Sequence, residues 1–175
     1  GPAATTAEVR FLGASGTKST TVALPAGSLS VLSDVVAALG GDGSAPVEVL
    51  ADQPLLLSSR TFTAIDDGAS CGAGGTLGLD LPGTTTAQGL AAGATGWLAP
   101  LSEDARTRTN VALANAGSET ARVTVVLFDA SGTEVATWTA DLAPGAFVQE
   151  NRPFATRGGR TDVSGGFARV TVVSG

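Results

Sequence analysis

Residues 122–145 read RVTVVLFDASGTEVATWTADLAPG, and this stretch, inside a longer run from 107 to 154, decides the fold. From Glu134 to Leu142, alternate positions place Ala136, Trp138, Ala140 and Leu142 on one face. Thr133, Val135, Thr137, Thr139 and Asp141 fall on the other. A period of two, with one dry side and one mostly hydroxylated side, predicts a half-buried antiparallel strand. Residues 123–128 are almost continuously apolar and rich in β-branched types, which predicts a strand covered on both faces. Asp129-Ala130-Ser131-Gly132 between them has turn chemistry, with a glycine free to take a positive φ. The stretch predicts a β-hairpin.

Further strands extend from it in both directions. Two leading strands are expected at 97–101 (WLAPL) and 108–115, and another at 167–173. In the N-terminal part, short strands are expected at 8–12 and 17–24 around the turn Gly13-Ala14-Ser15-Gly16. A further one is expected at 29–32, then a one-turn helix at 35–39 capped by Ser33 or Asp34 and stopped by Gly40-Gly41. Strands at 47–50 and 55–63 follow, joined at Asp52-Gln53-Pro54.

The two halves resemble each other. Ala14-Ser15-Gly16 matches Ala130-Ser131-Gly132 at an offset of 132 − 16 = 116. Leu24 and Gly27 match Leu142 and Gly145 at 145 − 27 = 118, and Val47 matches Phe167 at 167 − 47 = 120. Two small insertions at turns account for the drift, so a diverged β-unit written twice is the economical reading. The second copy has leading strands near Trp97 and Val111 with no equivalent before Glu8. The first has a closing strand at 55–63 with no equivalent after Val173. Sheet edges are therefore expected to lie open, to be filled by exchange between chains, by a partner, or by the linker folding back.

Composition narrows the function classes. The chain has 175 residues, 43% hydrophobic and 15% charged, enough to build a core. It carries no methionine, and Gly1-Pro2 reads as the scar of a tag-removal protease, so a trimmed piece of something longer is expected. No apolar run approaches the roughly 18 residues that cross a bilayer. The net charge of −6 and scattered arginines disfavour a nucleic-acid surface, which needs a basic stripe. Histidine is absent, which removes the commonest general base and most zinc sites. One cysteine cannot form an internal disulfide.

Several phrases together resemble a repeat family of large secreted or surface-attached bacterial proteins, built of immunoglobulin-like or CARDB-like β-sandwich modules. They are LLLSSRTF (55–62), GGTLG (74–78), EDARTRTNVALANAG (103–117), VTVVLFDASGTEV (123–135), LAPGAFVQENRPF (142–154) and GGFARVTV (165–172). The resemblance implies an extracellular or cell-surface location and a role as spacer, display or binding appendage, with no catalytic motif.

Among individual residues, Arg60 and Arg152 stand beside aromatics in similar contexts (SSRTF, ENRPF) and read first as clamps on carbonyls or a carboxylate, second as ligand anchors. Trp97 is the candidate for stacking on a sugar ring, whereas Trp138 belongs to the dry face. Cys71, in a Gly-rich loop, is a possible intermolecular thiol. Asp66-Asp67-Gly68 lacks the further acids of a calcium loop and reads as a polar turn. Glu103-Asp104 before Arg106 and Arg108 reads as local charge pairing. Lys18, the only lysine, looks solvated and unsuited to an isopeptide crosslink.

The expected architecture is all-β: two tandem Ig-like sandwich modules at 5–65 and 96–175, joined by a Gly/Ala/Thr-rich connector at 66–95, with one larger sandwich as the alternative. The expected role is a non-enzymatic structural or interaction module docking through sheet edges and loops. It needs no cofactor or metal, binds no nucleic acid and inserts into no membrane; its partner is a protein or a second copy. A glycan-binding accessory domain using Trp97 is the alternative.

Overall fold

The computed structural model describes residues 3–65 and 75–175. The fold is all-β. Its strands are β1 (Thr5–Gly13), β2 (Gly16–Leu24), β3 (Val47–Ala51), β4 (Ser58–Ile65), β5 (Gly75–Pro82), β6 (Thr95–Glu103), β7 (Asn110–Ala114), β8 (Ala121–Phe128), β9 (Glu134–Leu142), β10 (Phe147–Asn151) and β11 (Val163–Ser174). Two one-turn helices, α1 (Val35–Ala38) and α2 (Pro153–Thr156), precede β3 and β11. Four antiparallel sheets result, ordered β2-β1-β3, β4-β5, β10-β7 and β6-β11-β8-β9.

The hairpin at 122–145 forms β8 and β9, and its alternation holds from Ala136 on: Ala136, Trp138 and Ala140 are half-buried and Leu142 is buried, while Thr137, Thr139 and Asp141 face solvent. Val135, expected on the solvent face, instead packs half-buried against the main core, next to a register shift between Leu127 and Phe128. Val123, Val125, Leu127, Leu142, Phe154, Val163, Ala168, Val170 and Val172 form the main core. Leu113 of β7 packs against it from the β7–β10 pair, so the four-stranded sheet is covered on that side. A second, smaller cluster of Val9, Phe11 and Leu39 lies on β1 and just past the end of α1. At roughly 1.5–3 kcal/mol per fully buried large apolar side chain, the smaller cluster contributes far less than the main one.

The order β2-β1-β3 matches β9-β8-β11 strand for strand, all antiparallel. The registers align too. Val9 faces Thr20 and Val49, as Val125 faces Trp138 and Val170. The offsets are therefore 125 − 9 = 116, 138 − 20 = 118 and 170 − 49 = 121. The last corrects the expected 120 by one residue. The first change falls at the hairpin turn: Gly13 pairs directly with Gly16, whereas residues 129–133 intervene between Phe128 and Glu134. The turns after the hairpins agree: Ser28 N–H bonds the Pro25 carbonyl as Ala146 N–H bonds that of Ala143, with Gly27 and Gly145 at φ 70° and 71°. Both helices end over a left-handed glycine, but the second closes one residue later, spanning 160 − 154 = 6 residues against 41 − 36 = 5. Gly41 N–H reaches the Val36 carbonyl and Arg160 N–H that of Phe154, over Gly40 and Gly159 at φ 63° and 62°.

Three expectations are corrected. Residues 29–32 form no strand and are exposed. Their counterpart β10 is a strand because β7 pairs with it, and among the described residues nothing pairs with 29–32. The segment 66–95 is not simply a connector, since β5 lies in it and pairs with β4 from Ser58↔Pro82 to Ile65↔Gly75. The strand expected at 55–63 begins only at Ser58.

Candidate functional site

The clearest difference between the two three-stranded arrangements is at the outer edge. On β11 that edge is occupied by β6, with Trp97 opposite Arg169 and Leu98 opposite Ala168. The corresponding edge of β3 carries no strand among the described residues. On β3 itself Val47 is 43% exposed, and in the segment before α1 Leu29 is 87% exposed and Val31 72%. In the C-terminal half, Asn115 joins the layers. Its side-chain amide donates to the Leu142 carbonyl at 2.9 Å, and its backbone exchanges bonds with Gly145 and Ala146. Gly27 and Ser28 stand where Gly145 and Ala146 stand. No described backbone hydrogen bond runs to the Gly27 N–H or the Ser28 carbonyl. An open ladder is a template for a further strand.

The short helices are capped by different means. Asp34 accepts from Ala37 N–H at 3.0 Å, an ordinary N-cap. At the equivalent place stands Arg152, in left-handed backbone at φ 52°. There the bond to Ala155 N–H comes instead from Glu103 of β6, at 2.9 Å, with its carboxylate fully buried and 3.8 Å from the Arg152 guanidinium. The reading of Glu103 as charge pairing with Arg106 and Arg108 is thereby corrected. Asp104 holds the following turn, accepting from Arg106 and Thr107 N–H at 2.6 Å each. The Thr107 amide, then that of Arg106, keeps the Asp104 carboxyl below the usual carboxylate range.

Trp97 is 58% exposed on the outer face of the four-stranded sheet. Phe167 and Phe128 stand beside it, with ring centroids 5.9 and 6.3 Å from the indole and 4.9 Å from each other. Arg169 lies over Trp97 and Phe128. Sequence reading missed the two phenylalanines, because the group draws on three strands. Trp138 packs against the main core, with Arg157 5.3 Å from its ring.

Arg60 and Arg152 do not share a setting. Arg60 lies on β4, 3.7 Å from Asp80 of β5 and 5.7 Å from the Phe62 ring. Arg152 donates to the Asp104 carbonyl at 2.7 Å, tying the β6–β7 turn to the start of α2. Lys18 is exposed near the β1–β2 turn. Cys71 and Asp66-Asp67-Gly68 lie outside the described residues. Among the described residues, no group of three or more His, Cys, Asp or Glu is placed to hold a metal ion. Nor is any helix long and apolar enough to cross a membrane. Two shallow depressions, of 270 Å³ beside Asp129 and Arg160 and 410 Å³ beside Glu8 and Asp52, are wide open to solvent. Comparison with protein-family models, curated proteins and solved structures returned no match.

Proposed function

We propose that the chain is a non-enzymatic structural or interaction module of a secreted or cell-surface bacterial protein, built from Ig-like or CARDB-like sandwich units in tandem, and that it docks through sheet edges. The observation that carries this reading is the edge of β3: a ladder with no strand on it among the described residues, in a half that also leaves Leu29 and Val31 exposed. The matching strand orders of β2-β1-β3 and β9-β8-β11 support two units of one design. The location rests on the family resemblance. Sedimentation velocity across a wide concentration range, alone and with strand-forming peptides, tests the docking. Association that weakens in the Leu29→Asp/Val31→Asp variant is expected. A chain that stays monomeric throughout and takes up no strand would refute the reading.

A second reading, glycan binding, is favoured by the grouping of exposed Trp97 with Phe167, Phe128 and Arg169, since aromatic faces stack on sugar rings. It requires that polysaccharide retard the chain in affinity electrophoresis and that Trp97→Ala abolish the retardation. Equal mobility with and without polysaccharide removes it.

A further inference from the structure

We infer that the aromatic group on the outer face of the four-stranded sheet binds an acidic polysaccharide, a chain of uronate sugars, with Arg169 taking the sugar carboxylate and Trp97 the face of the ring. The inference rests on the glycan-binding reading and names the chemistry of its ligand.

The face is set by the registers of β11. Arg169 lies opposite Trp97 of β6 and Val126 of β8, and Phe167 lies opposite Phe128, so these side chains share one side of the sheet. Ala168 and Val170, which alternate with them, belong to the main core on the other side. Arg169 is itself exposed, with its guanidinium 6.0 Å from the Trp97 ring and 5.6 Å from that of Phe128. Among the described residues no carboxylate pairs with it, whereas Arg122 on the same face lies 3.7 Å from Asp141. Glu134, opposite Phe128, stands on β9, two strands away from β11. A planar guanidinium with its fork unmatched suits a carboxylate, which it can bind through two parallel hydrogen bonds.

One step along the strands, Thr95, Thr171, Thr124 and Thr139 make a row across the whole sheet. Their hydroxyls meet in pairs, at 3.0 Å between the first two and 3.3 Å between the last two. The row crosses three strand spacings, about 14 Å. Such a line of donors and acceptors suits the hydroxyls of an extended sugar chain, where the centre of a protein interface would be apolar.

The N-terminal half shows the same face without these groups. Where Phe128 and Arg169 stand it has Leu12 and Glu48, at 128 − 116 = 12 and 169 − 121 = 48, and Glu48 pairs with Arg10 at 3.4 Å. The charges there satisfy one another, so the unmatched guanidinium belongs to the C-terminal unit and not to the repeat. The net charge of −6 repels an acidic polymer at long range, which makes the attraction local to Arg169.

The test is affinity electrophoresis of the whole chain. One set of gels holds polygalacturonate, alginate or hyaluronan, and another holds neutral hydroxyethylcellulose. A third holds methyl-esterified polygalacturonate, which keeps the backbone and loses the charge, and a fourth holds polyglutamate, which has carboxylates and no sugar rings. We expect at least one uronate polymer to retard the chain more strongly than the neutral gels do. Arg169→Gln is expected to weaken that retardation roughly two- to fivefold, as suits an exposed ion pair, and Arg169→Lys to fall between the two because it keeps the charge and loses the fork. Arg169 is exposed, so both variants should keep the parent's circular dichroism. Neutral polymers that retard the chain as strongly, or an Arg169→Gln variant that binds like the parent, would overturn the inference while glycan binding stands. Retardation by polyglutamate equal to that by the uronates, or no retardation by any polysaccharide, removes both.

Discussion

At the scale of single residues, the most consequential group is Glu103. It sits fully buried at the end of β6, with one oxygen bonded to Ala155 N–H and the other, Oε2, without a hydrogen-bond partner. Glu103→Ala leaves Ala155 N–H with only its 3.0 Å bond to the Arg152 carbonyl, and losing a hydrogen bond to a charged group costs about 1.5–3 kcal/mol. Glu103→Gln keeps the accepting oxygen, so denaturant titration is expected to place it well above the alanine variant in stability. Asp129 makes a different point. Its carboxylate accepts from the Ser131 hydroxyl at 2.6 Å and from the Ser131 and Thr133 amides at 3.0 Å each. Those bonds, the Ser131 hydroxyl first, hold its pKa below the ordinary aspartate value. A carboxylate with a lowered folded pKa contributes stability above its unfolded pKa, about 3.9, and loses it as pH falls through the lower folded value. Asp129→Ala is therefore expected to be less stable than the parent at neutral pH, with the gap narrowing in acid. A gap that widens in acid would show that the carboxylate is not the stabilising species.

At the scale of elements, the two hairpin-plus-helix arrangements fill equivalent space with different side chains. Phe11 stands where Leu127 stands, and Val36 where Phe154 stands, so the large side chain comes from the strand in one case and from the helix in the other. Cores tolerate such exchanges when total volume is kept. Phe11→Leu and Val36→Phe are each expected to destabilise the chain. The double variant is expected to lose less than their sum by more than about 0.5 kcal/mol, the threshold for real coupling in a double-mutant cycle. Additive losses would mean that the two positions do not share a packing site.

The same elements explain what could be read from sequence. The β8–β9 hairpin was legible because burial imposes a period of two on local residues. Residues 29–32 were not, because alternating Leu29 and Val31 suit a strand but a strand also needs a ladder partner. The one-residue error in the β3–β11 offset arose between α1 and β3, where glycines at 40, 41 and 43 give no pattern to count against. The role of Glu103 depends on a helix 52 residues later, and the aromatic group on residues 97, 128 and 167, distances over which no periodicity reports.

At the scale of the whole molecule, nine buried residues make up the main core and three the smaller cluster among the described residues. Among the described residues, ten of the fifteen exposed large apolar side chains fall between Leu29 and Leu81, among them Phe62 and Leu79 on the β4–β5 hairpin. The N-terminal part should therefore open first, and unfolding should not be two-state. Both tryptophans lie in the C-terminal half. Tryptophan fluorescence is expected to report a later transition than backbone circular dichroism, with Val9→Ala shifting only the earlier one. Coincident curves would mean that the halves unfold as one body.

The open edge itself is tested most directly by residue-resolved hydrogen exchange on the chain alone, comparing Val47–Ala51 with residues 168–172. We expect the β11 amides to be protected along the whole run, held by β6 on one side and β8 on the other, and those of β3 that point away from β1 to exchange at rates near those of free chain. Uniform protection of β3, equal to that of β11, would mean that its edge is already filled.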